Sequence, residues 1–96
     1  MSLEKNKRVS KIRKKLDSLD SELLKIIKIR TGLVNQILKN KTNKEQIVDK
    51  ARIKKILKDI KRKSLKNKID AKLTKTIWSS MIKAYIDFEY RKFKKK

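Results

Sequence analysis

The sequence has no cysteine, no proline, no histidine and a single glycine in 96 residues. The absence of cysteine leaves the redox compartment open, and the absence of histidine removes the usual general base and metal ligand. Without proline and with one glycine, the chain also lacks the turn residues that β-sheets require. No apolar run approaches the roughly 18 residues of a membrane span, and the N-terminus lacks the apolar core of a signal peptide, so we expect no membrane partner and a cytoplasmic location.

The composition favours one small all-α domain over residues 1–96. Charged residues make up 43% of the chain and hydrophobic residues 38%, which suits amphipathic helices. The formal charge of +21 indicates an anionic partner, such as nucleic acid, a membrane surface or a small polyanion. Charge alone does not choose among these partners, and we expect most of the lysines to lie on a solvated surface.

A first helix is predicted over residues 8–40, because apolar residues recur there every three or four positions. Such a helix is near 50 Å long at about 1.5 Å per residue, too long for a compact monomer of this size. Much of its apolar stripe must therefore be covered by another chain, and we expect a homodimer. The stripe is formed by Ile12, Leu16, Leu19, Leu23, Ile26, Leu33 and Ile37.

Two further helices are predicted, one from Asp49 to Arg62 and one from Asp70 to Phe93. Each begins with an aspartate that is a plausible N-cap, and the segment KNKTNKEQ connects the first two helices. In the last helix Glu89 shares the face of the apolar residues, so its carboxyl is expected to be partly desolvated. The residues predicted to face inward are Ile53, Ile56, Leu57 and Ile60 in the second helix, and Leu73, Ile77, Trp78, Met81, Ile82, Tyr85 and Ile86 in the third.

Arginine is rare in this chain, which has 25 lysines and 6 arginines, so Arg13 and Arg30 stand out. Arg30 interrupts the apolar stripe of the first helix, and its guanidinium must find an anion there. Lys41 follows Arg30 by 11 residues, which returns it to within about 20° of the same helix face at ~100° per residue. Arg13 lies about 100° away around the axis, so any site it serves is expected to be that of the partner.

Four segments in this order resemble the AroQ-type (type II) chorismate mutases, a small all-helical family that includes isochorismate-pyruvate lyases. The segment IRKKLDSLDSELLKIIKIR resembles the family opening, with its two arginines 17 residues apart. Lys41 matches the lysine at the end of the long helix, and Asp49-Lys50-Ala51-Arg52 matches the D-x-x-R that starts the second helix. The segment IDAKLTKTIWSSMIKAYIDFE resembles the start of the third helix. The resemblance covers residues 10–91 and leaves a basic tail at 92–96.

The resemblance implies an intertwined homodimer of three-helix subunits with two active sites. It implies that Arg13 is donated to the site of the other subunit, while Arg30, Lys41 and Arg52 line the site within one chain. No cofactor or metal is implied, and the expected ligand is a small dicarboxylate, chorismate or isochorismate.

The resemblance also assigns residues around the second and third helices. Glu89 falls where the family has Gln or Glu near the ether oxygen of the substrate, and Tyr85 lines the site one turn earlier. Asp49 belongs to the substrate-binding motif at the start of the second helix. Ile53 departs from the pattern, because many family mutases have Glu there to contact the ring hydroxyl of the substrate.

The implied reaction explains why these residue types suffice. The rearrangement of chorismate to prephenate is a unimolecular pericyclic step, so the protein has to hold a compact conformer and stabilise charge. Planar guanidinium groups bind carboxylates bidentately, which lysine does not. Negative charge grows on the ether oxygen as the C–O bond breaks, and Lys41 together with a protonated Glu89 is expected to donate hydrogen bonds to it. Preorganised donors of this kind contribute on the order of 3 to 4 kcal/mol each.

Three functions fit the sequence. Chorismate mutase of aromatic amino-acid biosynthesis comes first, because Glu89 suits a donor to the ether oxygen. Isochorismate-pyruvate lyase is the alternative, favoured by Ile53, by Tyr85 and by the short loop before the second helix. A basic helical nucleic-acid-binding protein is the third, but it has no need of an arginine in an apolar stripe, so no specific nucleic acid is expected.

Overall fold

The chain is all-α in a computed structural model that describes residues 3–94, with side chains from residue 6 onward. No strand is present within this range, which confirms the predicted fold class. Residues 1–2 and 95–96, and with them the last two lysines of the predicted basic tail, lie outside the described residues. The elements are α1 (Leu3–Lys39), a short 3-10 helix (Lys44–Gln46), α2 (Lys50–Lys66) and α3 (Ala71–Lys92).

Both predicted N-caps are confirmed. The Asp49 carboxylate accepts the backbone N–H of Arg52 at 3.0 Å, and Asp70 accepts the N–H groups of Lys72 and Leu73 at 2.8 and 3.0 Å. These bonds satisfy amide groups that have no partner within the first turn of a helix. The N-termini of α2 and α3 are therefore fixed by their own sequence.

The helix boundaries differ from the predicted ones mainly at α1 and α2. Helix α1 begins at Leu3 rather than near residue 8, and α2 continues to Lys66, four residues beyond Arg62. Lysine is a good helix former, and neither extension contains a proline or glycine that would break the helix. Intrinsic propensity therefore extends each helix beyond the limits of its apolar pattern.

The described chain divides into two compact units, one up to Gln36 and one from Ile37 onward, and each is described by itself. The first unit consists of the greater part of α1. In the second unit α2 packs against α3, and a pair of buried hydroxyl groups joins the two helices. The oxygens of Ser64 and Thr74 lie 2.7 Å apart, and the Ser64 oxygen also lies 2.6 Å from the carbonyl oxygen of Ile60. Either hydroxyl can be the donor between them, because Thr74 also lies within hydrogen-bonding distance of two backbone carbonyls.

The described chain has very little apolar interior. Among its described apolar side chains only Leu38 and Ile47 are buried, at 8% and 4% exposure. Leu73 and Ile77 of α3, predicted to face inward, are exposed, so that prediction is wrong for a single chain. They lie on one flank of the helix, away from the half-buried Trp78 and its neighbours. In α1 the predicted stripe is more than half exposed at every position: Ile12, Leu16, Leu19, Leu23, Ile26, Leu33 and Ile37.

No helix within residues 3–94 combines the length and the apolar character that crossing a lipid bilayer requires. The long helix α1 carries charged residues throughout its length.

Helix α2 ends in a Schellman motif that has no glycine. The N–H of Ile69 bonds the carbonyl of Ser64 at 2.9 Å, and the N–H of Lys68 bonds that of Leu65 at 3.3 Å. This motif requires a left-handed residue between the helix and the next segment, and Lys68 adopts a φ of 56° there. A side chain in this conformation costs roughly 1–2 kcal/mol that glycine does not incur.

Replacing Lys68 with glycine should therefore stabilise the protein. Part of the strain energy that is removed is offset by the greater conformational entropy of glycine in the unfolded chain. We therefore expect the free energy of unfolding to rise by up to about 1 kcal/mol. Urea unfolding at fixed protein concentration measures it. The matched control is Lys66→Gly, in the last turn of α2, which should destabilise. A Lys68→Gly variant that is no more stable than the wild type would show that the turn is not strained.

Candidate active site

Two of the predicted site residues meet in the second unit. The Lys41 ammonium lies 3.1 Å from Glu89 Oε1 and donates a hydrogen bond to it. Both side chains are largely removed from solvent, with 17% exposure for Lys41 and 10% for Glu89. A charge-assisted bond between groups this buried has a defined geometry, unlike the ion pairs of a solvated surface.

Lys41 is held by a tight turn that follows α1. The N–H groups of Asn40 and Lys41 bond the carbonyls of Ile37 and Leu38, each at 3.0 Å and each three residues back. Helix α1 ends at Lys39, so the last two residues of the path from Arg30 to Lys41 form a turn instead of the predicted α-helix. Leu38, which is buried, anchors this turn in the second unit.

Gln46 organises the segment that follows Lys41. Its side-chain oxygen accepts the backbone N–H of Thr42 at 2.6 Å, the hydroxyl of Thr42 at 3.3 Å and the N–H of Asn43 at 3.2 Å. The next residue, Ile47, is buried and fixes the far end of the segment. The sequence analysis missed Gln46. The spacing of Asn43 and Gln46, typical of a capping box, was the signal that would have found it.

Asp49 and Arg52 occupy the first turn of α2. The Asp49 carboxylate accepts the backbone N–H of Arg52, so Asp49 orients the turn that carries the guanidinium. The Arg52 side chain is exposed and forms no ion pair with any residue from 3 to 94. Ile53, the next residue, is half-buried and brings an apolar group to the position where many family mutases have Glu.

Tyr85 lies one turn before Glu89 on α3 and is half-buried. Its ring packs edge-on against Phe88, with centroids 6.2 Å apart and an interplanar angle of 85°. This contact fixes the plane of the Tyr85 ring. Tyr85 thus lies one turn from Glu89 on the same helix, and its role in lining the site stays a prediction.

Arg13 and Arg30 belong to the first unit. Arg13 is exposed, whereas Arg30 is half-buried although the apolar residues of its stripe are exposed. The structure therefore joins Lys41 to Glu89 directly and places Asp49, Arg52, Ile53 and Tyr85 in the same unit.

These residue types can bind an anion and donate hydrogen bonds to it. An exposed guanidinium suits a carboxylate, and a buried ammonium suits an oxygen on which charge develops. Among the described residues no group of three or more acidic, cysteine or histidine side chains is placed to hold a metal ion.

Removing the Lys41 ammonium from its pair with Glu89 should destabilise the protein. Lys41→Met leaves the Glu89 carboxyl buried without its donor, and we expect a loss of about 1–3 kcal/mol. Urea unfolding at fixed protein concentration measures it, with Lys39→Met as the matched control at an exposed lysine two residues away. The double variant Lys41→Met/Glu89→Gln should lose less than the two single variants together. Strict additivity would mean that the pair contributes no coupling energy.

One comparison with known proteins identifies the family of the chain. The family model "Chorismate mutase type II" matches residues 12–90, which include every site residue named above. Neither the comparison with curated proteins nor that with solved structures gives a match. Because the family match spans most of the sequence, the chain belongs to the chorismate mutase type II family.

Proposed function

We propose that the protein is a chorismate mutase, converting chorismate to prephenate in aromatic amino-acid biosynthesis. The observation that carries this proposal is the buried pair of Lys41 and Glu89, 3.1 Å apart. Family membership supports the reaction class, an isomerisation. The pair supplies two polar groups side by side where the reaction needs donors.

The reaction breaks one C–O bond and forms one C–C bond within a single molecule, with no net proton transfer. Negative charge accumulates on the ether oxygen as the C–O bond lengthens. The Lys41 ammonium donates to that oxygen, and Glu89 donates a second hydrogen bond from its protonated carboxyl. A carboxyl donates a hydrogen bond only when it is protonated, so the proposal assigns this form to Glu89 in the substrate complex. Fixed donors stabilise the transition state without reorganisation at the moment of reaction.

Arginines bind the two carboxylates of the substrate in this proposal. Arg52 takes one in bidentate fashion, which its exposed guanidinium allows. Arg30 and an Arg13 contributed by a second subunit complete the binding of the dianion. Holding both carboxylates selects the compact conformer in which the reacting carbons approach each other.

A homodimer is part of the proposal. The exposed apolar stripe of α1 and the near absence of buried apolar side chains within the described residues support it, because a single chain leaves this surface in water. Sedimentation equilibrium should give a dimer, and dilution to nanomolar concentrations should lead to unfolding and loss of activity together. A folded and active monomer would remove the basis for a role of Arg13 across the interface.

Isochorismate-pyruvate lyase activity is the second candidate, and Ile53 is the observation that favours it. This half-buried apolar side chain offers no hydrogen bond to a ring hydroxyl at that position. The lyase reaction also requires only binding of a dicarboxylate and a developing negative charge on an ether oxygen, so Lys41 and Glu89 serve it equally well.

One assay separates the two candidates. The purified protein is incubated with chorismate and, separately, with isochorismate, and prephenate and salicylate are quantified. Prephenate from chorismate with little salicylate supports the mutase, and the reverse result supports the lyase. The Lys41→Met variant is run beside the wild type, because contaminating host enzyme would persist in it. Inactivity of the wild type on both substrates would contradict the proposed function.

Arg52→Lys should lose activity far beyond what its retained charge suggests. Lysine offers a point charge in place of a planar fork, so we expect a fall in kcat/KM of about tenfold or more. The matched control is Arg62→Lys on the same helix, an exposed arginine whose nearest carboxylate is that of Asp59 at 3.9 Å. Equal kinetics of the two variants would leave Arg52 without a role in binding substrate.

Glu89→Gln should retain kcat/KM within about tenfold of the wild type at every pH tested, because the proposed role of Glu89 is to donate a hydrogen bond to the ether oxygen. Glutamine provides a permanent donor of nearly the same shape. Profiles of kcat/KM are measured at fixed ionic strength, because the protein is strongly cationic. A folded, dimeric Glu89→Gln protein that is inactive at every pH would instead assign the carboxyl a role as base or structural anion.

A further inference from the structure

A cavity lies between α2 and α3, and neither Lys41 nor Glu89 lines it. Its volume is about 740 Å³, within the range of roughly 300–1,000 Å³ typical of small-molecule clefts. We refer to it as the lysine groove. Leu57 and Ala71 form its apolar part, and five lysines surround them: Lys54, Lys58 and Lys61 from α2, and Lys72 and Lys75 from α3.

The five ammonium groups of the lysine groove have no acidic partner among the side chains of residues 6–94. The one acidic residue of α2, Asp59, bonds Lys55 at 2.9 Å instead. The pKa of Asp59 is lowered, chiefly by this hydrogen bond, so the carboxylate remains ionised and engaged with Lys55. The groove therefore holds uncompensated positive charge, and an anion that enters it relieves the mutual repulsion of the lysines.

Helix α2, which forms one wall of the groove, has a higher net positive charge per residue than α1. Helix α2 carries nine basic residues and one acidic residue over 17 positions, whereas the 37 residues of α1 carry eleven basic and four acidic residues. The net charge is +8 (9 − 1) over the 17 residues of α2 and +7 (11 − 4) over the 37 residues of α1, so net positive charge per residue is more than twice as high along α2. It coincides there with an apolar cavity floor, which a merely solvated charged surface does not have.

The groove is distinct from the candidate active site. Around α2, Arg52 lies about 120° to 180° from the three groove lysines at ~100° per residue. Along α3, Glu89 follows Lys75 by 14 residues, which is about 21 Å of helix. A ligand in the groove therefore does not reach the Lys41–Glu89 pair.

The groove also lies on a different side of α3 from its exposed apolar residues. Leu73 and Ile77 are about 100° to 160° around the helix from Lys72 and Lys75 at ~100° per residue. A second subunit that covers Leu73 and Ile77 leaves the groove open to solvent. Binding in the groove is thus compatible with the proposed dimer.

We infer that the lysine groove is a binding site for a small amphiphilic polyanion, an aromatic or similarly apolar body that carries two or more acidic groups. The apolar body contacts Leu57 and Ala71, and the acidic groups reach lysines on both walls. Lysine ammonium groups are separate point charges on flexible stems, so they suit several spaced anionic groups better than a single planar carboxylate. The apolar floor distinguishes this ligand from inorganic anions and from a nucleic-acid backbone.

The test uses two disulfonates of equal charge, naphthalene-2,6-disulfonate and ethane-1,2-disulfonate, titrated by calorimetry into the full chain. A groove variant carries Lys54→Gln, Lys58→Gln, Lys61→Gln, Lys72→Gln and Lys75→Gln. The matched charge control carries five exposed α1 substitutions: Lys7→Gln, Lys11→Gln, Lys14→Gln, Lys15→Gln and Lys28→Gln. A third variant, Arg52→Gln, removes an arginine of the candidate active site. Circular dichroism verifies that each variant is folded.

We expect the naphthalene compound to bind the wild type about tenfold or more tightly than the ethane compound, and the groove variant to lose about tenfold or more of this affinity. The charge control and Arg52→Gln should stay within about twofold of the wild type. Equal losses in the groove and control variants would assign the binding to overall charge and overturn the proposal. A loss of affinity in Arg52→Gln alone would assign the binding to the substrate site and overturn the proposal. Equal affinity for both disulfonates would show that the apolar floor is not used, and this result would also overturn it. None of these measurements depends on catalytic activity.

Discussion

The hydrogen-bonded ion pair between Lys41 and Glu89 joins the turn after α1 to the last part of α3. It matters because the described chain has so few other buried contacts, with only Leu38 and Ile47 as buried apolar side chains. The protein has a net charge of +21, so acidic residues are few, and Glu89 has many lysines as possible partners. Only the lysine that a tight turn holds in place reaches it. The local backbone after α1 thus decides which of the 25 lysines pairs with Glu89.

The sequence predicts the fold class and the starts of α2 and α3 well, because each depends on short-range chemistry. Apolar spacing gives the helices, and the aspartates at 49 and 70 cap their first turns as expected. Helix ends are harder. The end of α2 relies on Lys68 in a left-handed conformation, and a lysine carries no signal for that geometry.

The candidate site is predicted in its members more than in its geometry. The spacing of residues along a helix predicts their relative direction only within that helix. Lys41 lies beyond the end of α1, so its position depends on the hydrogen-bonded turn that follows the helix. Gln46 was not predicted because its side chain accepts hydrogen bonds from backbone N–H groups, and such a residue is not part of a repeating apolar pattern. Exposure of Leu73 and Ile77 was missed because a periodic pattern marks an apolar face without saying which chain covers it.

The absence of histidine and cysteine becomes intelligible under the proposed function. A pericyclic rearrangement requires no proton relay and no covalent intermediate, so groups with fixed charge or a single donated proton are sufficient. What such a site needs is preorganisation, because donors that must reorient during the reaction lose most of their advantage. The turn at Lys41 and the burial of Glu89 supply it here with two side chains and little surrounding core. A protein with so small an apolar interior is suited to a reaction that requires only charged groups in fixed positions.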